Sequence, residues 1–147
     1  MRALLHPFRL ASIVLLVLCF GHTVGGMFGQ NDFGPAAEGV LAEMKSVHFN
    51  LNGSDVTWYG FWFGFGLLVS VFLLVSAAIA WRLASVESTL GSAAAPIAWA
   101  LAAGQLANAW LSWRYFFAVP MILAGLSAIL LGIGAWRLPR AWSRPAG

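Results

Sequence analysis

Four long apolar runs fill most of this 147-residue chain, and none of them contains Asp, Glu or Lys. They cover roughly residues 8–28, 58–81, 93–113 and 116–136. Each approaches the ~20 residues that a helix needs to cross ~30 Å of hydrocarbon. A backbone in lipid has to satisfy its own hydrogen bonds, so such runs become helices. The expected fold is therefore all-α: a membrane four-helix bundle, up-down-up-down, forming a single integral membrane domain over 1–147. Charged residues make up 9% of the chain, against the ~25% of an ordinary soluble domain. A core of this size could not hide so much apolar surface from water.

The net charge of +3 is a topology signal once the charges are sorted by side. With the N-terminus cytoplasmic, Arg2, Arg9, Arg82, Arg137, Arg140 and Arg144 share that side with Glu87 as the lone acid. The other side holds Lys45 and Arg114 against Asp32, Glu38, Glu43 and Asp55. Cationic residues stay on the side of synthesis, which puts both termini in the cytoplasm. Nucleic-acid binding would need a basic patch on a soluble element, and none is present. The first run also has some marks of a cleaved signal peptide. Its uncharged stretch reaches Asn31, however, longer than the ~7–15 residues of a signal core, so it is expected to remain as a span.

The external connection, 29–57, has structure of its own. Gly34 and Pro35 read as a breaker followed by a helix start. Ala36, Val40, Leu41, Met44 and Val47 then recur at helical spacing, with Glu38, Glu43 and Lys45 on the other face. This is one short amphipathic helix, expected to lie on the membrane surface or to cap the bundle. Residues 47–52 alternate apolar and polar, the period of an extended segment, and Asn52-Gly53 is a turn signal. Asn52, Gly53 and Ser54 match a glycosylation sequon. Asp55 stands where it could cap the second spanning helix. Residues 83–92 read as a short polar inner loop, and Trp113, Arg114 and Tyr115 as a tight outer turn.

Polar residues inside a membrane are costly and need a reason. His22 and Thr23 on the first span, and Gln105 and Asn108 on the third, fall at comparable depth in the outer half, with His48 and Asp55 just above. Trp58, Tyr59, Trp62 and Trp110 could wall a pocket there. Each residue also has a plain structural role. His22, Gln105 and Asn108 can bond across helix contacts, and the aromatic residues can form the interfacial belt. Gly21 with Gly25, and Gly60 with Gly64, form small-residue pairs suited to helix packing. Cys19 reads as a small buried apolar side chain.

No catalytic constellation emerges. No span carries a carboxylate for proton-coupled export. The single cysteine excludes a thiol relay. Ser70 and Ser76 lack a histidine at matching depth, so no hydrolase is apparent. No channel filter is visible. His22 and His48 lack the close spacing of metal ligands, and no cofactor is expected. The expected activity is non-enzymatic: binding of a partner or a lipid-like molecule at the outer half. The alternatives are a membrane redox or metal/haem subunit using His22 and His48, and a small oligomeric transporter. The expected partners are the lipid bilayer and either a second copy or another membrane protein.

Three segments carry a resemblance. They are Gly21, His22 and Thr23; residues 44–49, from Met44 to Phe49; and residues 59–68, which open the second span. Together they resemble an uncharacterised family of small bacterial four-helix, multi-pass integral membrane proteins. The resemblance covers the first two spans and their connection. It implies a bacterial plasma (inner) membrane location and brings no activity, cofactor or catalytic residue.

Overall fold

The computed structural model describes residues 6–29 and 32–138. Arg2, Arg140 and Arg144, which carry part of the charge asymmetry, lie outside those residues. The chain is predominantly helical. Helix α1 spans Pro7–Phe20 and runs on as a π-helical segment, Gly21–Met27. Helix α2 is Pro35–Ser46, and strands β1 and β2 are His48–Leu51 and Ser54–Thr57. Helix α3 is Trp58–Leu90, followed by a 3-10 turn at Gly91–Ala94. Helices α4 and α5 are Ala95–Tyr115 and Ala118–Arg137.

Three helical stretches are long and apolar enough to cross a membrane: Pro7–Met27, Trp58–Tyr115 and Ala118–Arg137. The second contains both α3 and α4. Within the most apolar 18 residues of each stretch, only 28–33% are buried within the protein. Many of the other residues are exposed and apolar, which is consistent with a membrane surrounding.

Several boundaries differ from the sequence expectation. The segment 83–92 is not a loop; α3 continues to Leu90. No Gly or Pro occurs between Gly66 and Gly91, and Leu83 is buried while Glu87 bonds the His6 ring at 2.8 Å. Gly91 then takes φ +52°, the left-handed conformation that ends helices. The expected turn at Trp113–Tyr115 is still helix, and the break falls at Phe116 and Phe117.

The external connection holds the expected extended segment and turn, as one arm and the tip of a hairpin. Strands β1 and β2 pair antiparallel, with Leu51 opposite Ser54 and Asn50 opposite Asp55. Asn52 and Gly53, at φ +53° and +92°, form the tight two-residue turn between them. Both residues need positive φ, which the Asn-Gly pair tolerates best. Asp55 is therefore drawn into the hairpin and does not cap α3. The Thr57 hydroxyl takes that role, accepting the Gly60 N–H at 3.0 Å.

The chain divides into two compact units. One comprises Met1–Leu18 and Leu73–Gly147. In it, α4 buries Ala98, Ala102, Gln105, Ala109 and Ser112, a 4-3-4-3 spacing along one seam. Helix α5 answers with Ala124, Ser127, Ala128, Leu131, Gly134 and Ala135. Small residues on both seams let the two backbones approach, as helices do in lipid where burial of apolar surface adds little drive. Phe8 of α1 is fully buried, its ring seated where a Cβ on Gly134 would stand. Ser12 Oγ donates to the Ala77 carbonyl at 2.8 Å, and the Arg9 guanidinium lies 5.2 Å from the Trp81 ring centroid.

The other unit is Cys19–Phe72. Its core is the π-helical segment running antiparallel to the first half of α3. Met27 lies against Gly66, and the rings of Phe28 and Phe63 meet edge to face at 5.4 Å.

Candidate functional site

The π-helical segment carries the first polar group. Gly21, Gly25 and Gly26 lower the steric cost of widening the helix, and the Phe28 N–H reaches back five residues to the Thr23 carbonyl at 3.1 Å. Such segments recur at functional positions in helices. Here the segment presents His22 and Thr23 to α3. His22 Nε2 donates to the Gly66 carbonyl at 2.9 Å, since a carbonyl can only accept. The Thr23 hydroxyl donates to Ser70 Oγ at 2.8 Å. Cys19 is half-buried, not an inert apolar filler, and its thiol points at the Ser70 carbonyl at 3.4 Å.

Ser70 and His22 thus lie at matching depth, contrary to the sequence expectation. They do not form a nucleophile–base pair. His22 spends its Nε2 proton on a main-chain carbonyl, and Ser70 sends its own hydroxyl toward the same Gly66 carbonyl at 3.5 Å. The arrangement joins two helices. Ser70, Gly66 and Met27 are the members that sequence reasoning missed. The spacing of four between Gly66 and Ser70 along α3 was visible, but the residues facing them were not.

The second polar group lies in the hairpin. His48 Nδ1 donates to Asp55 Oδ2 at 2.9 Å, with the side chains 57% and 71% exposed. Beneath the pair runs a groove of about 710 Å³, floored by Gly60 and Gly64 and walled by Phe61, Phe65 and Leu68. A second open groove, of about 520 Å³, lies between α2 and Trp58, lined by Pro35, Val40, Met44 and Val47 among others. Helix α2 buries none of its residues. The Trp58 ring packs on Phe49 at 4.5 Å, Tyr59 lies 5.7 Å from Trp62, and Lys45 Nζ lies 4.9 Å from the Tyr59 ring centroid.

The third group belongs to the unit that holds α4. Gln105 is 0% exposed, and its Oε1 accepts from Asn108 Nδ2 at 3.4 Å. Its Nε2 has no acceptor among the described residues. Trp110, on the same helix, is largely exposed.

The six polar candidates are therefore distributed over three bonded groups: His22 with Thr23, His48 with Asp55, and Gln105 with Asn108. The space beside the glycines differs from one to another. A Cβ at Gly21, Gly25 or Gly64 would meet nothing within 4 Å among the described residues, and one at Gly60 would meet only Thr57 Oγ1. Close approach occurs instead at Gly66 and Gly134. Among the described residues, no three His, Cys, Asp or Glu side chains gather as metal ligands. No family model, curated protein or solved structure matches the chain.

Proposed function

We propose that the chain is a four-span protein of a bacterial plasma membrane, up-down-up-down with both termini cytoplasmic. On this reading it works by binding a partner or a lipid-like molecule through its outer connection and the adjoining part of α3. The observation that carries this reading is the exposed apolar relief of that unit: two open grooves flank the hairpin, and α2 buries nothing. The side chains inside the spans support it from the other direction, because His22, Ser12 and Cys19 direct their donors to main-chain carbonyls.

The orientation is tested by single-cysteine labelling in a Cys19→Ser background. Lys45→Cys should react with an impermeant maleimide from outside, and Arg144→Cys only after the membrane is opened. Labelling of both from one side would refute the topology. Binding is tested by extracting the protein in mild detergent and analysing the lipid retained. A chain that carries no lipid and captures none when it is added back would refute the binding reading. The redox reading requires His22 and His48 to serve one centre, whereas they bond different partners, Gly66 and Asp55.

A further inference from the structure

We infer that the groove under the hairpin is a seat for a membrane amphiphile whose head bears a primary ammonium group, as in an ethanolamine phospholipid. The inference rests on the binding reading above and names its ligand. Two features define the site, and they lie at opposite ends of it.

The first is the head end. Asp55 can only accept hydrogen bonds while ionised, so the proton in its contact with His48 sits on Nδ1. In the neutral ring that tautomer leaves Nε2 as an acceptor. The pair therefore offers the remaining carboxylate lone pairs to a donor, joined by Nε2 when the ring is neutral. Such a surface suits an N–H donor with positive charge and repels a phosphate presented alone. The charge of the unit points the same way. Between Cys19 and Phe72, Lys45 stands against Asp32, Glu38, Glu43 and Asp55. Lys45 lies over the Tyr59 ring and does not line this groove.

The second is the tail end. From Gly60 to Leu68 the groove follows α3 for about 12 Å at ~1.5 Å per residue, most of one leaflet of a ~30 Å hydrocarbon layer. Its floor is open because Gly60 and Gly64 have no side chains, and Phe61, Phe65 and Leu68 form apolar walls. A spanning helix could also lie on paired glycines. It would, however, have to continue past an exposed carboxylate and imidazole. An amphiphile ends there, with its polar head against the polar pair.

The test uses the full-length protein in mild detergent, incubated with phosphatidylethanolamine or phosphatidylglycerol of identical acyl chains and read by native mass spectrometry. The wild type should retain the ethanolamine lipid about fivefold over the glycerol lipid, the ratio an exposed ion pair supports. Asp55→Asn should bring that ratio to about one with total lipid unchanged. Gly64→Leu should remove both lipids. It is expected to fold, because a Cβ there meets nothing within 4 Å, and circular dichroism verifies this. Equal retention of both lipids by the wild type, with Gly64→Leu still abolishing it, would overturn the headgroup assignment and leave the binding reading standing. Retention unaffected by Gly64→Leu would overturn the groove. A dimer that Gly64→Leu dissociates without loss of lipid would assign the groove to a second copy instead. No lipid on any variant would remove both readings.

Discussion

Gly134→Ala gives the sharpest test of the helix packing. A Cβ at Gly134 would occupy the space of the Phe8 ring, and Phe8 is fully buried, so the ring has nowhere to retreat. Overpacking of this kind costs about 1–3 kcal/mol. Replacing glycine in a helix also returns ~0.5–1 kcal/mol of backbone entropy, which would blur a single measurement. Gly132→Ala supplies the control. It lies on the same helix, and its new Cβ would stand 3.7 Å from Trp99, ordinary van der Waals contact. The backbone gain is common to both variants and cancels in their difference, leaving the overpacking cost of about 1–3 kcal/mol. The assay is reversible unfolding in mixed micelles of a mild detergent with rising dodecyl sulfate, followed by circular dichroism. Adding Phe8→Leu to Gly134→Ala should recover part of the loss, because a smaller side chain leaves room for the methyl group. Gly134→Ala as stable as Gly132→Ala would show that Phe8 does not fill that space.

Three further outcomes follow from the polar groups. His22→Leu should leave insertion intact and lower stability by about 0.6–2 kcal/mol in the same titration, the range for one interhelical hydrogen bond; no loss would mean that the Gly66 bond is not made in the membrane. Gly53→Ala forces a methyl group onto φ +92° at a cost of about 1–2 kcal/mol, so hydrogen exchange at the β1 and β2 amides should quicken while exchange in α4 and α5 stays unchanged. Gln105→Met removes a buried amide whose Nε2 lacks an acceptor among the described residues and should raise stability by up to about 1 kcal/mol; a clear loss would instead reveal an ordered water or another partner on that nitrogen.

The spans were legible because they are set by solvent. An apolar run of sufficient length has few alternatives in oil, and each run falls largely within helix here, Phe28, Phe116 and Phe117 excepted. Where a helix ends is a different question, and α3 shows why. Trp81 and Arg82 are the residue types expected at a headgroup boundary, but a helix does not stop there. It stops where the backbone conformation changes, at Gly91. Asp55 was misplaced for a related reason. Its distance in sequence from Trp58 suits a cap, yet the register imposed by Asn52-Gly53 sets it across from Asn50 and within reach of His48. Paired glycines show which residues share a face of a helix, but not whether that face meets a neighbour. Gly66 and Gly134 became visible as packing positions only with Met27 and Phe8 in place opposite them, and those are contacts distant in sequence.

The same reasoning bears on where function can reside. A polar side chain in hydrocarbon is stable only when its donors are taken up, and the nearest acceptors there are main-chain carbonyls. Ser12, Cys19, His22 and Ser127 each direct a donor to such a carbonyl. The donors of these residues are thereby committed to backbone oxygens. The His48–Asp55 pair is under the opposite constraint. It is exposed, so it can exchange water for a ligand without leaving a buried group unsatisfied. Binding is therefore less costly in the hairpin than anywhere among the bonded groups of α1 and α3. A ligand that also brings an apolar chain can add contact along Gly64, where a Cβ would meet nothing within 4 Å among the described residues.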